Sequence, residues 1–143
     1  MIHNEAMSHA LRLRKMKQAA VLSCPCGGVD YAACCQPYHD GATPATAEQL
    51  MRARYSAYAL GRLQFVFDTW HARTRPARSE LTVDPAVKWL GLEVRRHLPG
   101  ENESHVEFVA RSRLGGRAQR LHEASRFVRE NGSWFYVDGV IPE

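Results

Sequence analysis

The stretch Ser125-Arg-Phe-Val-Arg-Glu-Asn-Gly-Ser-Trp-Phe-Tyr-Val-Asp-Gly139 reads as two strands joined by a tight turn. Asn131-Gly132 is a strong two-residue hairpin signal, because both central positions of a type I′ turn need positive φ. The strand before it begins at a second turn, Gly115-Gly116, and alternates Leu121, Glu123, Ser125 and Phe127 with Arg120, His122, Ala124 and Arg126. Further upstream, residues 105–113 place Val106, Phe108 and Ala110 on one side. From Lys88, Leu90, Leu92 and Val94 alternate with Gly91, Glu93 and Arg95. A period of two over successive segments with short turns predicts an antiparallel meander.

Before Lys88 the period is helical. Thr46 and Gln49 form a capping box, and Leu50, Met51, Ala53, Tyr55, Ala57 and Tyr58 give the following helix a broad apolar face. Gly61 supplies its stop. Leu63, Val66, Phe67 and Trp70 then fall at the i, i+3, i+4, i+7 spacing of a second helix, and residues 73–79 read as loop. Helices first and strands afterwards predict an α+β domain over residues 45–143, with helices packed on one face of a curved antiparallel sheet. The chain has 143 residues, 45% of them hydrophobic, which suits one domain with a small module attached. Its aromatic content argues against disorder, no run of about twenty apolar residues offers a membrane span, and no repeat suggests a solenoid.

All four cysteines lie together in Cys24-Pro-Cys26-Gly-Gly-Val-Asp-Tyr-Ala-Ala-Cys34-Cys35. A tetrahedral zinc ion needs four soft ligands at about 2.3 Å, usually from two short segments. Pro25 stiffens the first pair, and Gly27 and Gly28 permit the turn that folds the chain back under a metal. Asp30 suits an N-cap, which would place Cys34 and Cys35 in the first turns of a short helix. The competing reading is disulfides. Neighbouring pairs would be strained, whereas a crossed pair such as Cys24–Cys34 stays open. Four thiolates fill a tetrahedron, so the zinc expected at Cys24, Cys26, Cys34 and Cys35 is structural, with no position left for water. His39 could replace one thiol, but a loop histidine at the surface is the plainer reading. Residues 36–45, with Pro37, Gly41 and Pro44, read as a linker between this knuckle (residues 23–40) and the main domain.

Net charge is +4, and most of the excess lies in residues 1–23, where Arg12, Arg14, Lys15 and Lys17 face only Glu5. The body is nearly balanced, so nucleic acid is not the expected partner. Residues 1–22 read as a flexible basic leader. Leu11, Leu13 and Met16 could form a short amphipathic helix, but a solvated tail, or a start at Met7 or Met16, is the plainer reading. Its apolar run, residues 19–22, is too short for export, so a cytoplasmic location is expected.

Cys24-Pro-Cys-Gly and Tyr31-x-x-Cys34-Cys35 resemble the SEC-C motif, the zinc-binding tail of the translocation ATPase SecA. This copy has one residue fewer between Cys26 and Cys34, and Cys35 where SecA commonly has His. Leu50-Met-Arg-Ala-Arg-Tyr-Ser-Ala-Tyr58, Thr69-Trp-His71 and the hairpin quoted first resemble the YchJ family of bacterial proteins, from about Ser23 to the end. The resemblance implies a zinc knuckle joined to a cystatin-like, nuclear transport factor 2-like cone of helices on a bent sheet. With the closed four-cysteine site, it implies an adaptor or protein-interaction module with a protein partner.

A cone can also hold a small ligand. If Leu121 and Phe127 face the core, Glu123 and Ser125 are carried inward with them. A buried glutamate must be paired or protonated, so Glu123 is either a functional acid or half of a structural pair. Tyr55, Trp70, His71, Glu123, Arg126 and Tyr136 are therefore the candidate pocket residues. Against this, Tyr55 and Trp70 also fit as core aromatics, His71 and His122 as surface histidines. Trp134, Tyr136 and Asp138 should share one face, with Arg126 across from one or the other. No Ser-His-Asp or Cys-His order is visible, and Gly115-Gly116 is a turn rather than a phosphate loop. The adaptor is the expected role, with a small-molecule-binding protein or enzyme using the cone as the alternative.

Overall fold

A computed structural model describes residues 22–142; the expectations for the leader fall almost wholly outside them. After a 3-10 turn at Tyr31–Ala33 come α1 (Gln36–His39), α2 (Ala47–Leu60) and α3 (Leu63–Asp68). A second 3-10 turn, Arg78–Glu80, precedes β1 (Val87–Leu98), β2 (Glu103–Leu114), β3 (Arg117–Glu130) and β4 (Ser133–Val140). The strands form one antiparallel meander in the order β1-β2-β3-β4. The α+β architecture follows the change of period at residue 87.

Local chemistry sets the element ends. Thr46 Oγ1 accepts from the Gln49 backbone N–H at 3.1 Å. The Gln49 side chain accepts in return from Ala45 N–H at 2.8 Å, one residue earlier than a standard capping box. α2 stops where Gly61 takes a left-handed conformation, φ 74°. The β3–β4 turn has Asn131 at φ 52° and Gly132 at φ 80°, both positive as a type I′ turn demands.

α2 lies across the concave face of the sheet. Leu50, Ala53 and Tyr55 share one buried cluster with Val106, Phe108, Phe127 and Trp134, and Cys24, Cys26 and Cys35 belong to the same cluster. Each large side chain so buried contributes roughly 1.5–3 kcal/mol. Residues 36–45 are not all turn, as α1 occupies Gln36–His39. Pro37 fits its first turn because no intrahelical N–H is needed there.

Two bulges change which residues face inward. Between Trp89 and Gly91 the β1–β2 register slips, extruding Leu90, which is 52% exposed. The inward residues of β1 are therefore Trp89, Leu92 and Val94, not the expected Leu90, Leu92 and Val94. Between Arg126 and Phe127 the β3–β4 register slips as well, pairing Arg126 with Asp138 but Phe127 with Tyr136. Val137 is the extra residue, so Asp138 moves off the face it was expected to share with Trp134 and Tyr136. α3 also ends early, at Asp68. Trp70 lies beyond it in a parallel bridge to Tyr136. His71 N–H donates to Tyr136 O at 2.7 Å and Tyr136 N–H to Thr69 O at 2.9 Å, covering the β4 edge.

Candidate metal centre and cone cavity

The four cysteine sulfurs converge. All lie within 4.8 Å of one another, and three of the cysteines are buried. Cys26 and Cys34 sulfurs are 3.5 Å apart, those of Cys34 and Cys35 3.9 Å. Four sulfurs at metal–sulfur distances of about 2.3 Å would stand about 3.8 Å apart in a regular tetrahedron, so the donor set fits one ion. No disulfide is formed; all four thiols are free.

The backbone explains the convergence. Cys24 N–H donates to Gly28 O and Gly27 N–H to Cys24 O, each at 3.0 Å, closing a turn in which Gly27 has φ 104°. A Cβ on Gly28 would come within 2.6 Å of Cys34 Sγ, so only glycine leaves that sulfur its place. Asp30 caps the 3-10 turn by accepting from Ala32 N–H at 3.0 Å. Cys34 closes that turn and Cys35 is the N-cap of α1, so the pair sits between two short elements rather than inside one helix. His39 stands apart from the sulfurs. Its Nε2–H donates to Ala53 O at 2.8 Å, leaving Nδ1 to accept from the Tyr31 hydroxyl at 2.6 Å. Burial lowers its pKa and favours that neutral form.

Contacts fasten the knuckle to α2. Ser56 Oγ lies 3.3 Å from both Cys24 Sγ and Cys35 Sγ. Arg52 Nη1 donates to Cys26 O at 3.1 Å while its Nε holds Glu48 at 3.1 Å. The thiols act on one another. A hydrogen bond from Cys35 holds Cys26 down at about 4, and burial pushes Cys34 up to about 12. A divalent cation removes that conflict by stabilising every thiolate together.

On the far side of α2 a cavity of about 350 Å³ opens into the cone. Its walls are largely aromatic and include Tyr55, Tyr58, Trp70, Trp89 and Tyr136. Arg54 projects into this region and is only 6% exposed. Its Nη1 donates to Val66 O and to Thr69 Oγ1, each at 2.8 Å. The guanidinium lies 4.6 Å from the Tyr136 ring centroid and 5.2 Å from that of Trp70. Among the described residues no carboxylate comes within salt-bridge distance of it. Burial lowers its pKa to about 10, which still leaves a cation at neutral pH.

Glu123 occupies another part of the wall. Its Oε2 accepts from Ser125 Oγ at 2.5 Å and from the Tyr136 hydroxyl at 3.4 Å. Across the ladder Gly139 leaves it room; a Cβ there would lie 2.5 Å from Glu123 Oε2. Four of the sequence candidates, Tyr55, Trp70, Glu123 and Tyr136, thus line one cavity. Two do not. Arg126 stands on the outer face, forked onto Asp138 through Nε at 3.0 Å and Nη2 at 2.8 Å. The bulge at Val137 puts them opposite each other. His71 sits at the sheet edge with Nε2 on Glu130 at 2.9 Å and Nδ1 accepting from Arg73 N–H. Arg54 was missed, although its place one turn after Leu50 on the stripe that leads to Ala57 marked it as inward-facing.

Fold and site together define a nuclear transport factor 2-like cone carrying a four-cysteine knuckle. The family model described as "YchJ, middle NTF2-like domain" matches residues 46–139. The chain belongs to this family, YchJ or UPF0225. A UPF0225 protein of Methylibium petroleiphilum is 56% identical over 124 residues, covering 85% of this chain and 90% of the relative. One from Chromobacterium violaceum is 50% identical, covering 89% and 98%. Among solved structures, a SEC-C motif containing protein from Rhodopseudomonas palustris superposes with TM-score 0.74 at 30% identity, over 85% of this chain and all of that one. Another from Psychrobacter arcticus gives 0.69 at 31%, over 87% and 85%.

Proposed function

We propose that the protein is a small-molecule-binding protein, not a catalyst, whose cone is braced by one structural zinc ion on Cys24, Cys26, Cys34 and Cys35. Bound zinc would supply charge neutralisation and a rigid cross-link and no reactive water, since thiolates fill its tetrahedron. Free thiols of this kind suit the reducing cytoplasm. The observation that carries the binding reading is the cavity itself, which the surrounding side chains leave open while a cation stands in its wall. A core that served only stability would fill such a space or pair such a charge. Titration with the neutral dye Nile red tests it. Fluorescence should rise in the wild-type chain and fail to rise in Ala110→Trp, which fills the cavity. Equal responses from both proteins would refute the reading.

The adaptor reading has its own support. Val29 in the knuckle is 92% exposed and Leu22 56% exposed, apolar side chains a protein partner could cover. Val29→Ser should then release partners captured from the native cell extract, and an unchanged set would remove this second role.

A further inference from the structure

Arg54 has more donors than the fold uses. Nη1 serves two oxygens, but neither Nε nor Nη2 has an acceptor among the described residues. Trp70, whose ring lies 5.2 Å from the guanidinium carbon, has a buried Nε1–H that also lacks a partner. The open Nε and Nη2 of Arg54 form a half-site for an acceptor on one cavity wall, and a planar guanidinium best matches a carboxylate. The ring of Tyr136 separates this half-site from Glu123, since the cation lies over the ring while the hydroxyl reaches Glu123 Oε2. Glu123 in turn is held by two hydroxyl donors, which leaves acceptor positions on its carboxylate. Between these ends the walls are aromatic and apolar.

We infer that the cavity takes a flat, largely apolar carboxylate carrying a hydrogen-bond donor at its far end, with the carboxylate on Arg54 and the donor on Glu123. This rests on the binding reading above and assigns the ligand its class. Arg54 and Glu123 stand at separate places in the wall, so the site selects for the arrangement of groups and not for charge alone.

The test uses the full chain as purified and three probes: 6-hydroxy-2-naphthoate, 2-naphthoate and 6-hydroxy-2-naphthamide. Calorimetric titration should find the hydroxynaphthoate about 10-fold or more tighter than its amide, as a charge-assisted bidentate contact implies. It should also bind a few-fold tighter than 2-naphthoate. Arg54→Met should erase the acid-over-amide ratio, Arg54→Lys should keep part of it, and Glu123→Gln should shrink only the hydroxyl's advantage. Nile red uptake by each variant shows that its cavity is still formed. Equal affinity for acid and amide in the wild-type chain overturns the assignment, as does a ratio that survives in a Nile red-competent Arg54→Met. If Nile red binds while the acids show no preference, the ligand class fails and the binding reading stands. If Ala110→Trp takes up dye as wild type does, both fall.

Discussion

Ser56, in the middle of α2, places its hydroxyl 3.3 Å from the sulfur of Cys35, and the same oxygen is 3.3 Å from Cys24 Sγ. The knuckle is thereby built into the helix whose neighbouring residues, Arg54 and Tyr55, line the cavity on the other side. The cysteine knuckle, the helix and the cavity wall are consequently linked. Cys35→Ser should remove metal and lower the urea midpoint by the equivalent of several kcal/mol, because structural zinc contributes directly to folding free energy. A wild-type midpoint in that variant would show the knuckle to be dispensable.

Gly28 tests the geometry of the sulfur cluster without touching a ligand. Gly28→Ala drives a methyl against Cys34 Sγ. Zinc affinity, measured by competition with a chromophoric chelator, should fall about 10-fold or more, comparable to other changes just outside a metal's ligand shell. Gly27→Ala strains the backbone at φ 104° and should cost about 1 kcal/mol of stability instead. Identical affinities for wild type and Gly28→Ala would contradict the placement of Cys34.

Arg54 tests binding against stability. Its charge is buried with no salt-bridge partner, and burial depresses its pKa below that of a free guanidinium. The sign follows: because folding disfavours the protonated form, the charge destabilises the fold at every pH below about 10. Arg54→Met forfeits two hydrogen bonds but also that burden, so its thermal midpoint should stay within a few degrees of wild type. A loss of several kcal/mol would make Arg54 a structural residue.

Gly139 offers a way to move Glu123 without mutating it. A Cβ at this position meets the carboxyl end of a flexible side chain, which can swing away. Gly139→Ala should leave the fold within about 1 kcal/mol of wild type. It should shrink the hydroxyl's advantage as Glu123→Gln is expected to. An unaltered preference would place the donor's partner elsewhere.

Much of the fold was legible because its signals are local. Thr46 and Gln49, Gly61 and Asn131-Gly132 act within a few residues, and Val106, Phe108 and Ala110 alternate without interruption. What stayed hidden involves a change of phase. Leu90 looked like core because a bulge adds a residue without altering composition, and the bulge at Val137 likewise carried Asp138 to the outer face, where Arg126 already stood by the alternation of β3. Arg54 was hidden by residue type, since an arginine on a helix usually carries its charge to water. Leu90→Lys should therefore change stability by less than about 0.5 kcal/mol, while Leu92→Lys should cost several. Comparable losses would mean that β1 is in the other register.

The most direct test is metal content per chain, measured on protein purified without added metal and again after chelation. One zinc ion per chain, whose removal exposes four titratable thiols and lowers the melting temperature, is the predicted result. Protein free of metal that keeps its native spectrum and melting temperature would contradict the account.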